Sequence, residues 1–346
     1  MTRSLPLGAA LLLAAAPVTA QVALDRPPVL GGTWVPDAGV VRFDFLHRFW
    51  IPEGTSSLQN SPTFTFAVGL PSRLALGVRY ATNARVIGTA VETELYARWQ
   101  VVKTGDVTVA LTPAYSAGAR SADGEVSVDW TRGRLTLSGA ARGMSQAFGE
   151  DRSRGALASG AVVRLNDYVA LGGDVASMVN PDPGEDPAWS VGLLFVIPGS
   201  PHTFSLQASN VTVNTIQGSS RRGTTFTDKP LYGFEFTIPL HLRRFAPWFG
   251  GGSRPAAAPP AANVGAEVEI ASLRYGRDTV YVTAGQAVRW INTDPVEHTV
   301  TFEPGGPESS PLLVARDVFV ARFERPGVYP YHCIPHPFMK AVVVVR

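Results

Sequence analysis

Four residues near the C-terminus, His298, Cys333, His336 and Met339, have the types and spacing of a closed metal site. Cys333, His336 and Met339 stand at i, i+3 and i+6, so one tight loop can aim three side chains at one centre. His298 lies 35 residues before Cys333 and must arrive from a neighbouring strand. Thiolate is a soft donor that prefers Cu(I), and imidazole accepts both Cu(I) and Cu(II). A long thioether bond on the axis of a Cys/His/His plane suits both states. Neither state then demands a large rearrangement, so the set fits one copper per chain cycling by one electron. Zinc fits less well, because structural zinc rarely recruits Met. Covalent haem is excluded, since there is no Cys-x-x-Cys-His. Singly, each residue would be a buried thiol, a surface histidine or a core methionine. Only the combination carries the chemistry.

Strands must position these donors. In VRWINTDPVEHTVTF, residues 288–302, Val288 and Trp290 alternate along a strand ending at Asn292, and His298 opens the next strand after a turn. In FERPGVYPYHCIPHPFMKAVVVV, residues 323–345, Pro326-Gly327 leads into a strand ending at Cys333, and Met339 begins the terminal strand. Pro335 and Pro337 fix φ on both sides of His336 and stiffen the loop. Alternation sends His332 to the face opposite Cys333, where it reads as a surface residue.

This segment resembles the cupredoxins, most closely the amicyanin and pseudoazurin-like ones. The resemblance rests on Cys-Ile-Pro-His-Pro-Phe-Met, on Trp-x-Asn followed by His-Thr-Val, and on Phe-x-x-Pro-Gly-x-Tyr before the cysteine strand. It covers nearly all of residues 264–346 and nothing upstream. It implies a Greek-key β-sandwich with a type 1 (blue) copper site. His298 and His336 would bind through Nδ1, Cys333 through its thiolate and Met339 axially. It also implies that His336 is the more exposed ligand, ringed by Pro335, Pro337 and Phe338, and serves as the electron port where a redox partner docks. Two positions depart from the family pattern: Thr299 stands where Asn often ties the ligand loops, and Ala341 where Gly often follows the axial Met. The first predicts a tuned site, and neither removes a ligand.

Upstream, residues 30–249 alternate with period two. Val41, Phe43, Phe45 and Phe49 share one face, and Arg42, Asp44 and Arg48 the other. Phe64, Phe66, Val68 and Leu70 repeat the pattern, as do Leu74, Leu76, Val78 and Tyr80. Glu92, Glu94 and Arg98 face away from Leu95, Ala97 and Trp99. Roughly ten to twelve strands have a length fit to cross an outer membrane when tilted. Periodicity does not distinguish a membrane barrel from a soluble sandwich or barrel. Aromatics near strand ends (Phe49, Trp50, Tyr80, Trp99, Trp130, Tyr168, Trp248), charges in mid-strand and an export signal favour an antiparallel outer-membrane β-barrel. Glu92, Glu94 and Arg98 would line a wet lumen or form a solvated strand face. His47, His202 and His241 are isolated and read as structural or solvent-facing.

Residues 1–20 read as a secretory signal, with Arg3, an apolar run from Leu5 to Pro17 and small residues before Gln21. An uncleaved anchor is the lesser reading, because the apolar run is short for a span. Residues 250–263, GGSRPAAAPPAAN, form a Gly/Pro/Ala linker. A net charge of +2 gives no reason to expect nucleic acid as a partner. Cys333 is the only cysteine, so no internal disulfide exists and a ligand role would occupy the thiol.

The sequence thus predicts an all-β protein with a barrel followed by a cupredoxin sandwich. Its expected function is one-electron transfer and not enzymatic catalysis, since a closed four-ligand site leaves no position for substrate. A barrel with an even strand number places both termini in the periplasm, so the expectation is an exported protein in the outer membrane with its copper domain periplasmic. A soluble periplasmic protein is the alternative. A second reading makes the copper domain a metal-handling module on a porin-like channel, and a third makes it an accessory donor to a separate reductase or dehydrogenase. The rigid Cys-to-Met loop favours redox cycling over metal release.

Overall fold

The computed structural model describes residues 24, 26–86, 90–197, 202–242, 263–294, 296–303, 305–336 and 338–346. The secretory signal, Trp248 and all of the linker except Asn263 lie outside them. The described chain is nearly all strand and divides into two compact units.

The first unit is a closed antiparallel barrel of twelve strands in meander order, with β1 (Val40–Trp50) pairing β12 (Leu231–His241) to complete the circle. Between them run β2 (Gln59–Leu70), β3 (Leu74–Thr82), β4 (Val91–Thr104), β5 (Val107–Ser116), β6 (Ser121–Arg132), β7 (Leu135–Met144), β8 (Arg154–Arg164), β9 (Val169–Met178), β10 (Ala188–Val196) and β11 (Thr203–Ser209). The turns at 105–106 and 133–134 open on Gly105 and Gly133 with φ of 50° and 61°. Glycine adopts this left-handed geometry without strain, and the turn then matches the twist of the strands it joins. Strand direction alternates, so the start of β1, the end of β12 and the turns at 71–73, 105–106, 133–134 and 165–168 share one end. The connections 51–58, 145–153, 179–187 and 210–230 share the other.

The period-two alternation has an inverted sense here. Leu76, Leu95, Trp99, Val126, Leu157, Leu171 and Leu206 point outward and are exposed. Arg42, Asp44, Arg79, Glu92, Glu94, Arg98, Glu125 and Arg142 point inward and are buried. Inside, Arg42 pairs with Asp44, Arg79 with Glu94, and Glu125 bridges Arg142 at 2.8 Å and Arg98 at 3.7 Å. These ion pairs offset the cost of burial, while Glu92 accepts only the Ser116 hydroxyl among the described residues, at 2.9 Å. Trp50 corrects one sequence expectation: it follows outward-facing Phe49, so alternation turns it into the lumen, where it is 4% exposed and not part of an aromatic girdle. Tyr80 and Trp99 do lie outside.

Glu92, Glu94 and Arg98 are neither a solvated face nor open channel lining, because the chain itself fills the lumen beside them. From the end where β1 starts, a strap around residues 26–36 enters. Asp174 accepts the N–H groups of Val29 and Leu30 (2.8 and 3.2 Å), and Asp129 accepts the N–H and hydroxyl of Thr33 (2.9 and 2.7 Å). Arg98 donates to Gly31 O and Gln100 to Thr33 O. A Cβ on Gly160 would meet Pro27 at 2.8 Å, so the wall is thinned where that proline packs. From the other end the β11–β12 connection folds in: Ile216 N–H donates to Glu94, Gln217 to Asp123, and Arg142 to Ser219. Val29 and Leu30 belong to one apolar cluster with Val211 and with Ala140, Ala158, Ala176 and Ala188 of the wall.

The second unit is a sandwich of two four-stranded sheets. One has the order β14 (Arg274–Tyr275), β13 (Val264–Ala271), β16 (Ala287–Asn292), β18 (Val318–Arg322). The other has β15 (Thr279–Val282), β20 (Lys340–Val345), β19 (Gly327–His332), β17 (Thr301–Phe302). Its core is apolar and rich in rings: Trp290, Tyr331, Phe302 and Phe323 pack with Val268, Ile270, Val280 and Val343. Trp290 stands edge-on to Tyr331 and Phe302, with centroids at 5.5 and 5.9 Å, a favourable ring arrangement.

Candidate metal centre

The three nitrogen and sulfur donors converge at one end of the sandwich. His298 Nδ1 and His336 Nδ1 are 3.2 Å apart, and Cys333 Sγ lies 3.7 and 3.5 Å from them. A trigonal centre with bonds of about 2.0–2.3 Å needs edges of roughly 3.5–3.7 Å. The two sulfur edges therefore already have the size of a metal plane, and the nitrogen–nitrogen edge is slightly shorter. All three residues are buried. Met339 is buried in the same core as Cys333. Its N–H donates to His336 O at 2.8 Å and its carbonyl accepts from Cys333 N at 3.1 Å, so the loop closes on itself.

Local structure holds each donor in place. His298 sits in an isolated bridge to Leu313, with both backbone bonds made (3.0 and 2.8 Å). Asn292, at the end of β16, donates through Nδ2 to Val296 O and Leu313 O and accepts the Asp294 N–H. This is the physical role of the Trp-x-Asn pattern: it folds the turn that presents His298. Asp294 accepts the N–H groups of Ser272 and Leu273 (2.6 and 2.8 Å), both in a left-handed conformation, and receives His298 Nε2–H at 2.9 Å. That last bond places the ring proton on Nε2 and leaves the Nδ1 lone pair facing the centre. Sequence reasoning does not single out Asp294. An acidic side chain four positions before a ligand histidine was the signal available.

Thr299 ties the two ligand segments. Its hydroxyl oxygen accepts Ile334 N–H at 2.9 Å, and its N–H donates to Cys333 Sγ at 3.4 Å. The departure from Asn at this position thus keeps the inter-loop tie. His332 faces away from the centre toward Glu303, at 3.2 Å, as alternation required. His47 and His202 lie in the barrel against phenylalanine rings. The His241 side chain and Pro337 are outside the described residues.

Burial sets the protonation of the site. Burial pushes the Cys333 thiol up to about 11, against the pull of its hydrogen bonds. Burial, then the neighbouring His298, lowers His336 to about 4. Burial also lowers His298, against the pull of Asp294. Both imidazoles are thus neutral donors at physiological pH, as a metal requires, while the thiol must lose a proton to bind. One expectation is corrected: His336 is 2% exposed and not an exposed port. Phe338, edge-on at 6.0 Å, is the exposed group there, at 40%. His336 Nε2 has no hydrogen-bond partner among the described residues.

Residues 262–346 match the family of copper binding proteins of the plastocyanin/azurin type. Amicyanin-alpha of Methylorubrum extorquens is 42% identical over 84 residues, covering 23% of this chain and 71% of that protein. Amicyanin of Paracoccus denitrificans is 35% identical over 96 residues, covering 27% of this chain and 73% of that protein. The chain belongs to the plastocyanin/azurin family through its C-terminal unit, and copper is the metal that family membership and donor set both indicate. Membership supports a blue-copper electron-transfer module.

Proposed function

We propose that this protein is a one-electron Cu(I)/Cu(II) carrier whose single copper is held by His298, Cys333, His336 and Met339, and that the barrel anchors it in the outer membrane. The observation that carries the copper assignment is the buried Nδ1/Nδ1/Sγ triangle, all of whose donor atoms lie within 4.8 Å of one another. When bound, copper supplies the one-electron couple. The chain supplies two neutral imidazoles, a thiolate once its proton leaves, and a pre-shaped apolar cage that changes little between states. An exposed Phe338 beside buried His336 gives a redox partner a short apolar route to the centre. The unit carries eight Lys/Arg against nine Asp/Glu from Gly265 to Arg346, which favours apolar docking over long-range steering.

The inverted barrel supports the membrane part of the reading. A large outward apolar surface in water would aggregate, whereas lipid is its natural solvent. Short turns at the end bearing both barrel termini and longer connections at the other match outer-membrane barrels. On this reading residues 1–20 direct export, residues 30–249 form the anchor, and residues 250–263 link it to a copper domain, 264–346, in the periplasm. The filled lumen favours an anchor over the porin-like channel of the copper-handling alternative.

The test uses the full chain folded in detergent, loaded with Cu(II) and compared with Cys333→Ala. An intense thiolate-to-copper absorption band with narrow copper hyperfine splitting, both lost in the variant, is the expected result. A colourless protein, or a Cu(II) spectrum insensitive to Cys333→Ala, would overturn the carrier assignment.

A further inference from the structure

Thr299 has one proton more than its visible duties require. It is 1% exposed, so water does not serve it. Its hydroxyl oxygen accepts two hydrogen bonds, from Ile334 N–H at 2.9 Å and from the Thr301 hydroxyl at 3.0 Å. A hydroxyl has two lone pairs and one proton, so both acceptor positions are used and the proton must point elsewhere. The Cys333 sulfur is the candidate acceptor, because the hydroxyl oxygen already holds the N–H of Ile334, the residue next to Cys333. The same sulfur already receives the Thr299 backbone N–H at 3.4 Å. Thr301 and Ile334 occupy the oxygen and leave its proton for another acceptor.

We propose that the Thr299 hydroxyl donates to the Cys333 thiolate, and that this second donor from one residue sets the reduction potential of the centre. The inference rests on the copper reading above. Hydrogen bonds to the cysteine sulfur are among the levers that tune such sites. The sulfur bears more negative charge when the metal is Cu(I), because Cu(II) withdraws more of its electron density. A donor on the sulfur therefore stabilises the reduced state and raises the potential. It also lowers the energy of the sulfur electrons, which moves the thiolate-to-copper band to higher energy. Thr299 is here a positioning and tuning residue and not a ligand.

The experiment compares the full-length copper protein with Thr299→Val and Thr299→Ser by reductive titration and visible absorption. Valine keeps the shape and loses the proton; serine keeps the proton and loses a methyl. The donor is present in both states and only its difference between them moves the equilibrium, so its loss is expected to favour Cu(II) by up to about tenfold. For a one-electron couple that is a fall of up to roughly 59 mV. The band is expected to move to lower energy in Thr299→Val, and both readouts to stay within about twofold of wild type, on the same scale, in Thr299→Ser. If Thr299→Val leaves potential and band unchanged, or Thr299→Ser shifts both equally, the proposal is overturned. Should Thr299→Val fail to hold copper, Thr299→Ala relieves crowding and is read by the same two outcomes. A wild-type protein with no blue band would instead fail the copper reading itself.

Discussion

The two units use the same period-two alternation in opposite senses. In the sandwich, Val268, Trp290 and Val343 point inward, while Glu267, Tyr281 and Val328 line the outside. In the barrel, Arg98, Glu125 and Arg142 point inward, while Leu95, Val126 and Leu157 line the outside. A strand's pattern therefore tells which residues share a face, and the surroundings decide which face is the interior. The sandwich closes on a dry core by the hydrophobic effect. The barrel closes on charges, so its interior must be held by complementary pairs and by chain segments that satisfy them.

The sharpest test of this contrast exchanges the interiors' supports. Glu125 is buried between Arg98 and Arg142. Glu125→Ala would leave two buried guanidiniums without their carboxylate, and breaking a buried pair destabilises by about 3–5 kcal/mol. Trp290→Ala in the sandwich should lose a similar amount, about 3–5 kcal/mol, for the unrelated reason that it opens a cavity. Urea unfolding of each unit in the full protein, followed by intrinsic fluorescence for the barrel and by the copper band for the sandwich, separates the two. Adding Arg98→Met and Arg142→Met to Glu125→Ala should recover much of its penalty, because no uncompensated buried charge then remains, whereas neither change should rescue Trp290→Ala. Equal responses of the two would break the contrast.

A smaller effect is expected on the outer faces. Leu95 is 53% exposed on the barrel and Val328 65% exposed on the sandwich. If lipid surrounds the first and water the second, Leu95→Arg destabilises by about 2–4 kcal/mol near mid-bilayer. Val328→Arg should stay within about 0.5 kcal/mol. Folding yield in lipid vesicles checks the first and thermal melting of the copper band the second. A neutral Leu95→Arg would return the barrel to water.

Within the copper unit, Asp294→Asn keeps the turn but weakens the carboxylate behind His298. Changes to such supporting groups lower metal affinity by about 10–100-fold. Competition with a chelator of known affinity measures this, and unchanged affinity would mean that Asp294 serves only the Ser272–Leu273 turn.

The ligand loop was legible in the sequence because Cys333, His336 and Met339 are close along the chain and chemically distinctive. The strands were legible because the alternation of β1 to β4 is regular. Their inside-out sense was readable only as a preference, since Arg42 and Phe43 alternate identically in either solvent. The strap and the β11–β12 insertion were not legible at all. Their contacts, such as Val29 with Asp174 or Ile216 with Glu94, join residues far apart in sequence through backbone groups that every residue possesses. The burial of His336 was missed for a related reason, as it depends on how neighbouring segments pack over the loop and not on the loop's residues.

The smallest effect concerns protons, and it separates the copper unit from the barrel again, because only the copper unit must release a proton to bind its ligand. Burial holds the Cys333 thiol near 11 and His336 near 4 in the metal-free protein. Between about pH 6.5 and 9, then, the thiol is protonated and His336 neutral. Copper takes the thiolate, so each metal bound releases one proton, and apparent affinity rises about tenfold per pH unit across that window. The slope is expected to steepen below about pH 4, where His336 also gains a proton that copper must displace. Isothermal titration in buffers of different ionisation enthalpy counts the protons directly. One proton per copper at pH 7.5, falling to none in Cys333→Ser under the same conditions, is the expected outcome. A count near zero in wild type would mean that the thiolate is already formed without metal, and that burial does not govern this cysteine.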